Sequence, residues 1–408
     1  MRGIDIKYQC LLYYSLIIIC FLLCSCASIP KPPDNISNIL ELENYLNKLT
    51  ASGTPPGLSL AVVKNDSLIY CKGFGWADKP RKIKAAPGTI YHWWSCTKII
   101  TAIAILQLQE KHLLNINDPV YMYLHFFKVD YPSDTCKKIT ILNLLNHSSG
   151  LPDPSVITLI NWIHHYGEPS VNQTDFLIKK LPNYSSLNFE PGDHFQYSNL
   201  GYMVLGAIIE KVTGITYEDY IRNNILLPLR MNNTDFVYTN AMKLNEAAGA
   251  HPIFNIVTPL IPFLAGSYIR EFDWNHIWLK RVYTDQTPPS GLIGSTEDAS
   301  RLVAAYLNGG ELNGIRILSP ESLNKMTYSG YSKIKGDDSS IYRRQGIGWQ
   351  IYGGPGSDRW VLTHDGGGPG FSTKIQLYPD EKLGFILFTN DDTCEPWKII
   401  NLAAAIKW

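Results

Sequence analysis

The sequence has no surplus of either charge. Its 36 Lys and Arg offset 36 Asp and Glu, and the isoelectric point is about 7.1. A general nucleic-acid binder carries a basic excess, and none is present. No acidic or basic tail stands out either. Charged residues are scarce, at 18% of the chain, which argues against a disordered polyelectrolyte. The apolar run from Leu11 to Leu23 falls short of the ~20 residues that a helical membrane span needs. There is no internal repeat and no low-complexity tract. The downstream cysteines include no CxxC and the ten His include no HExxH, so no metal or metalloprotease pattern is met. These absences exclude a fibre, a coiled coil, a polytopic membrane protein and a disulfide-dense mini-domain. What is present is 45% apolar residues over 408 positions. That is enough for a large core, divided among two or three domains or lobes at ~150 residues each.

Arg2 and Lys7 precede the apolar run and small residues follow it, the layout of a secretory signal. The run ends Leu23-Cys24-Ser25-Cys26, which resembles a bacterial lipobox with Cys26 as the lipidated first residue. Residues 1–25 are read as signal and 26–40 as tether. Ala27 to Asn35, with Pro30, Pro32 and Pro33, is expected to be extended. The expected location is the cell envelope, lipid-anchored to a bacterial membrane. Cys71, Cys96, Cys136 and Cys394 then remain, expected mostly as buried free thiols, and the sequence does not pair them.

Leu58 to Val63 and Ser67 to Tyr70, around Lys64-Asn65-Asp66, predict a two-stranded hairpin. Thr97 to Leu114 predicts a helix, with Ile99, Ile103, Leu106 and Leu113 on one face. Asn199 to Val212, ended by Gly214, predicts another. Thr296 to Leu307 predicts a third, with Ser295 or Thr296 as cap. Lys374 to Leu377 and Leu383 to Phe388 predict strands around Pro379-Asp380-Glu381. Residues 252 to 290, broken by Pro252, Pro259, Pro262, Pro288 and Pro289, read as loop. Strands at both ends and helices between suggest one sheet built from both termini, with a helical lobe inserted.

Three motifs carry chemistry. Ser95-Cys96-Thr97-Lys98 is a Ser-x-x-Lys, which Ser28/Lys31, Ser322/Lys325 and Ser332/Lys335 also match. Context selects Ser95. It opens the long apolar helix, i,i+3 places Lys98 on the same face, and a helix N-terminus offers positive potential to a serine oxygen. Tyr197-Ser198-Asn199 follows the Pro191-Gly192 turn and precedes a helix. His364-Asp365-Gly366-Gly367-Gly368-Pro369-Gly370 is the densest glycine stretch, where backbone can approach a ligand closely. No Lys-Ser/Thr and no helix follow it, so it is no phosphate loop.

Together these motifs resemble the serine hydrolases of the β-lactamase and penicillin-binding-protein superfamily, in the branch nearest class C β-lactamases and their esterase and D-peptidase relatives. Gly57 to Val63 resembles that family's first strand. Leu144-Leu145-Asn146-His147-Ser148-Ser149-Gly150-Leu151 resembles its Leu-Leu-x-His-x-Ser-Gly-Leu stretch. Ser290-Gly291-Leu292 with Ser295-Thr296-Glu297-Asp298 resembles the segment before its late helix. The resemblance covers about residues 50 to 395. It departs at Pro228-Leu229-Arg230-Met231, where the family often has Gly before Met, and at His364, where related enzymes carry the Lys of a Lys-Thr-Gly.

The resemblance implies an α+β, β-lactamase-like fold. An antiparallel sheet is flanked by helices and carries an inserted, mainly helical lobe. The implied domain is 41–395, with sheet from 41–92 and 290–408 and helical lobe about 93–289. It implies Ser95 as nucleophile, Lys98 as base and Tyr197 as proton shuttle, with the choice of main base open. A lysine, ordinarily near pKa ~10.4, works best as a base near ~7–8, which burial or neighbouring charge can bring about. Asn199 is expected to hold Lys98 and a substrate amide. Backbone N–H groups of Ser95 and Gly367 are expected to hold the oxyanion, and His364, Gly366 and Gly367 to contact substrate. No cofactor and no metal are expected, and adjacent His164 and His165 should point apart. A His with an ordinary pKa of ~6.5 is mostly neutral at pH 7 and attracts a substrate carboxylate weakly, unless Arg343 or Arg344 supplies charge. The expected activity is therefore a lipid-anchored serine hydrolase on an ester, or an amide without a critical carboxylate. A β-lactamase or D-alanyl-D-alanine carboxypeptidase, and a non-catalytic envelope binding protein, are the alternatives. Residues 155–190 and 252–290, with Trp162, Trp274 and Trp278, are expected over the site, either binding acyl or peptide groups or packing the lobe. Partners are a small ester, peptide or β-lactam and a membrane through the lipid, with no nucleic acid.

Overall fold

Strand β1 (Gly57–Lys64) is apolar throughout because it is covered on both sides. The strand period of two sends Ala61 and Val63 into the main core and Leu58, Leu60 and Val62 to the opposite face. The structure, a computed structural model, describes residues 30–168, 171–253, 255, 258, 266–273, 275–328, 343–353 and 360–408, with backbone alone at 343. The expected signal and Cys26 lie outside these residues. So do Ser332, Lys335, Trp274 and the side chain of Arg343.

β1 is central in an eight-stranded antiparallel sheet. Its other strands are β2 (Ser67–Asp78), β3 (Ile83–Lys84), β4 (Arg343–Gln345), β5 (Gln350–Tyr352), β6 (Val361–Gly368), β7 (Phe371–Tyr378) and β8 (Leu383–Thr389). The order is β4-β5-β6-β7-β8-β1-β2-β3, so N-terminal and C-terminal segments join where β1 pairs β8, Leu58 opposite Thr389. The outer face is covered by α1 (Ile39–Ser52), through Leu42, Leu46 and Leu49, and by a C-terminal helix (Pro396–Ala404), through Ile399, Ile400 and Ala403. The inner face receives α4 (Thr296–Leu307), α2 (Thr97–Glu110) shares its core, and α3 (Asn199–Thr213) packs on α2. The C-terminal helix is α5.

The caps explain where these helices start. Asn38, Ser198 and Ser295 each accept a backbone N–H three residues on, at Glu41, Gly201 and Asp298. Gly214, left-handed at φ 75°, ends α3. α2 is buried on every side from Thr97 to Leu108, so it is a central helix, not an amphipathic one. It stops at Glu110, and Leu113 beyond it is half exposed instead of extending the apolar face.

Two further expectations are corrected. The tether does not run to residue 40. Ile36 is already buried with α1, because α1 seals the sheet's outer face and draws in the residue before its cap. Residues 252–290 are not loop throughout. Ala250–Pro252, His276–Leu279 and Ile269–Phe272 form a small antiparallel sheet, Val282–Thr284 pairs with Ile163–His165, and Thr287–Ser290 is one helical turn. Pro252 falls at a strand end and Pro288 and Pro289 in that turn, where no ladder N–H is lost, while Pro259 and Pro262 lie outside the described residues. The cysteines Cys71, Cys96, Cys136 and Cys394 are all free. No described helix is long and apolar enough to cross a membrane.

Arg230, where the related proteins often have Gly, adopts φ 57°. Its neighbour's N–H closes the turn on Leu226 O at 2.8 Å, so the left-handed residue is needed to end the preceding helical turns. An L-residue in that region costs roughly 1–2 kcal/mol. Glycine removes that strain but brings a freer unfolded chain. Arg230→Gly should therefore raise the urea midpoint with unchanged m-value, a gain of about 0.5–1 kcal/mol. An unchanged midpoint would mean that other contacts of Arg230 offset its strain.

Candidate active site

The residues before Ser95 are fixed by pairing. Tyr91–His92 lies beside Ile293–Gly294, and Trp93 N–H donates to Leu292 O at 2.9 Å. The chain then turns through Trp94–Cys96 as a short 3-10 segment into α2. Trp94 has φ 45°, an uncommon conformation for a bulky residue. Strand β6 holds it there. A Cβ on Gly368 would come within 2.6 Å of the Trp94 ring, and one on Gly366 within 2.2 Å of the Trp93 carbonyl oxygen. Thr373 Oγ1 donates to that carbonyl at 2.9 Å, and Cys96 Sγ donates to His364 O at 3.3 Å. Gly366, expected at the substrate, is thus required by close packing against the Ser95 turn. Gly367 between them is open, since a Cβ there would meet nothing within 4 Å.

Lys98 lies on the first turn of α2 with its side chain wholly buried. Its Nζ is 3.2 Å from Ser95 Oγ, 2.7 Å from Asn199 Oδ1 and 3.1 Å from Pro289 O. The last two atoms can only accept. They fix two N–H directions whatever the protonation state, so the third direction, toward Ser95, holds either the third proton or the lone pair. Burial pulls the Lys98 pKa down to about 7, against the opposing pull of Asp153. The Tyr197 ring lies beside Lys98, its centroid 4.8 Å from Nζ, and burial pushes its pKa well above 10, with Ser95 pulling the other way. Near neutral pH, Lys98 is the group able to accept a proton and Tyr197 remains a neutral phenol. The structure thus brings Ser95, Lys98, Tyr197 and Asn199 together.

Asn199 is placed by a residue that sequence reasoning missed. Asp153 Oδ1 accepts the Asn199 backbone N–H at 2.6 Å, and its Oδ2 accepts from Asn199 Nδ2 at 3.0 Å. This orients the amide with its oxygen toward Lys98. One Nδ2 proton is thereby committed to Asp153, and the amide keeps its second. Burial raises the Asp153 pKa. His147 was missed as well. Its carbonyl accepts from Gln196 N–H at 2.9 Å and its Nδ1 accepts from Ser198 N–H at 3.1 Å. Its ring stacks on Tyr197 with centroids 4.4 Å apart. It grips both neighbours of Tyr197 and the ring itself. Burial, with Lys98 nearby, holds it neutral. Both residues lie in the Leu144 to Asp153 stretch, where only a family resemblance marked anything; Pro289 had no signal beyond its Pro-Pro pair.

His364 is buried on β6, its ring 6.5 Å from that of Tyr197. Its Nδ1 is 2.8 Å from Asp365 O, an acceptor, so the proton of the neutral ring sits on Nδ1. Burial, then the Lys98 charge, push its pKa to about 4. It is more firmly neutral than an ordinary histidine. Lys374, opposite Asp365 on β7, pairs with that carboxylate at 2.7 Å. Arg344 places its guanidinium over the Trp360 ring. Trp162 and Trp278 are core residues, Trp162 against Phe176 and Trp278 donating to Asp273 at 2.9 Å. His164 pairs with Asp285 while His165 packs on Tyr268, and no group of His, Cys, Asp or Glu suited to a metal occurs among the described residues.

A beta-lactamase family model matches residues 42–405. The chain belongs to the beta-lactamase family. It is 30% identical over 355 residues to Protein flp of Staphylococcus aureus, a match covering 86% of this chain and 62% of that protein. The chain therefore spans about three-fifths of that relative's length. It is 30% identical over 356 residues to a penicillin-binding protein of Bacillus subtilis, covering 86% of this chain and 71% of the relative. Among solved structures, the octameric penicillin-binding protein homologue from Pyrococcus abyssi superposes with TM-score 0.73 at 26% identity, covering 90% of this chain and 77% of that one. Members of the beta-lactamase family are serine hydrolases acting through an acyl-enzyme.

In this beta-lactamase-family site, Asp153 acts on Lys98 in two ways, by its charge and through Asn199. Asp153→Asn should lower kcat/KM by ~10²-fold, because a second amide cannot hold Asn199 with its oxygen toward Lys98. The charge effect has a definite sign. Asp153 holds the Lys98 pKa up, so its neutralisation lets that pKa fall further. The acid limb of kcat/KM, set near pH 7 by Lys98 in the native enzyme, should then move to lower pH. A fall in activity with an unmoved limb would reduce Asp153 to a structural residue.

Proposed function

We propose that this chain is a lipid-anchored serine hydrolase that forms an acyl-enzyme at Ser95 on an ester or carboxylate-independent amide. One observation carries the chemistry: Lys98 Nζ, buried, has two directions taken by Asn199 Oδ1 and Pro289 O and its third aimed at Ser95 Oγ. In this reading neutral Lys98 accepts the Ser95 proton as Oγ attacks the substrate carbonyl. The oxyanion forms between the N–H groups of Ser95 and Gly367, beside the open face of β6. Tyr197 gives its phenolic proton to the departing oxygen or nitrogen and receives the one Lys98 holds, so both end as they began. Water then attacks the acyl carbonyl, with its proton passing to the same pair. The basic and apolar leader ending at Cys26 supports anchoring at a bacterial cell envelope.

The penicillin-binding name of the Bacillus subtilis relative favours a second reading, reaction with β-lactams. Two features weigh against a carboxylate-bearing substrate. His364 is neutral, and the charge of Lys374 is matched by Asp365. The apparent replacement for a lysine in the third motif therefore brings no net positive charge.

Two experiments test these assignments. Hydrolysis of p-nitrophenyl acetate and butyrate should fall to background in Ser95→Ala; equal rates in both proteins would remove Ser95 as nucleophile. His364→Lys should raise acylation by a chromogenic cephalosporin about tenfold or more, since a charge-assisted bond to a carboxylate contributes about 1.5–3 kcal/mol. An unchanged acylation rate would break the link between His364 and substrate class.

A further inference from the structure

A cavity of about 950 Å³ opens beside the Ser95 turn. It is large for a site meant to hold a short acyl group, since pockets of about 300–1,000 Å³ bury most of a drug-sized molecule. Gly367 and Gly368 of β6 form one wall and His92, three residues before Ser95, stands beside them. The cavity then runs past Phe371 and Leu279 to Ile160 and Ile157. At its mouth, Val156 and Ile157 are 72% and 56% exposed. Neighbouring exposed apolar side chains on a cavity rim mark an apolar ligand.

Most charges in the lining already have a partner. Arg281 is paired with Glu246, Arg270 with Asp78, and His251 with Asp392. Arg281 also lies over the rings of Tyr166 and Tyr238. Lys280 Nζ donates to Ser267 O at 2.9 Å. Arg81 shares Asp78 with Arg270, so the Lys280 ammonium and the buried His92 Nδ1 and His251 Nε2 are the polar groups left beside a mainly apolar surface.

Its position selects one half of the substrate. Ser95, Lys98 and Tyr197 are not among the lining residues, whereas the open glycine of β6 is. A leaving group must face Tyr197 to receive its proton, so the acyl part points the other way, past Gly367 and Gly368. We infer that this cavity is an acyl-chain site and that the substrate is an ester or amide of an apolar acid longer than butyrate. The inference rests on the Ser95 acyl-enzyme reading, and the experiment separates the two.

The test measures kcat/KM of the full chain for p-nitrophenyl acetate, butyrate, hexanoate and octanoate, beside Ser95→Ala. A second series keeps the octanoyl group and lengthens the alcohol. The expected result is a rise of about three- to fourfold per added acyl methylene, with little dependence on the alcohol. Ile160→Trp, which directs an indole into the cavity, should cut the octanoate-to-acetate ratio at least about tenfold. Ile157→Ser, at an exposed position and so safe for folding, should lower the same ratio more modestly. A flat or falling acyl profile with turnover still dependent on Ser95 would overturn the acyl-chain site and leave the hydrolase reading intact. So would a preference that follows the alcohol. Loss of Ser95 dependence on every ester would overturn both.

Discussion

Lys98 is wholly buried at the start of a helix that is itself enclosed, and a buried ammonium without partners is among the least tolerable groups in a protein. Its three neighbours come from three places in the chain: Ser95 from the turn before α2, Asn199 from the start of α3 and Pro289 from the short helix Thr287–Ser290. To surround this one nitrogen, α2, α3 and that helix must meet at a point. Pro288 packs against Gly206 so closely that a Cβ there would lie 2.2 Å from its Cγ, while Thr101 donates to Pro288 O at 2.6 Å. The packing that draws the three elements together is therefore also what removes water from Lys98. Loss of water lowers its affinity for a proton, and two obligate acceptors keep the side chain from swinging away.

The sheet answers the same constraint from the other side. Ser95 must face a strand whose backbone can present N–H groups at close range, and only residues without side chains permit the approach. Gly366 and Gly368 flank the open Gly367, so the Trp93–Trp94 backbone and indole sit where side chains would otherwise stand. The positive φ of Trp94 belongs to this arrangement. Strain of about 1–3 kcal/mol persists only where surrounding contacts over-determine the conformation. Pairing at His92, the bond from Thr373 and the ring stacked on His92 supply those contacts.

The central strands of the sheet and its three inner helices are legible in the sequence because their signals are local: an apolar run rich in β-formers at Leu58 to Val63, a capping serine at Ser295, a terminating Gly214. Ser95 and Lys98 are legible for the same reason, being one helical turn apart. Other contacts join residues far apart in the chain. Asp153 meets Asn199, His147 meets Tyr197 and Pro289 meets Lys98, and no periodicity announces such meetings. Prolines misled the reading of residues 252–290 because their usual veto on strands does not reach strand ends. Leu113 misled it because an apolar residue at helical spacing is no sign that the helix continues. The tryptophans Trp162 and Trp278 fill core, while the aromatic surface of the cavity comes from Tyr166, Tyr238, Tyr268 and Phe371, spread across four regions of sequence.

The electrostatics and the cavity bear on one another. A positive charge in the third motif would serve a substrate that brings a carboxylate to the end of β6. Here His364 is neutral, first because of the same burial that makes Lys98 reactive and then because of the Lys98 charge beside it. Lys374 is held by Asp365. The surface beyond Gly367 is mainly apolar and most of its charges are paired, so in the proposed reading shape orients the substrate. Burial of an apolar chain against Phe371, Leu279 and Ile160 provides that orientation without any ionic contact, at roughly 0.8 kcal/mol for each methylene removed from water. Such binding acts on the acyl group before and after acylation alike. In the proposed acyl-enzyme it holds the acyl carbonyl at Gly367 through both steps, while Lys98 and Tyr197 exchange the proton with whatever leaves and with the water that replaces it.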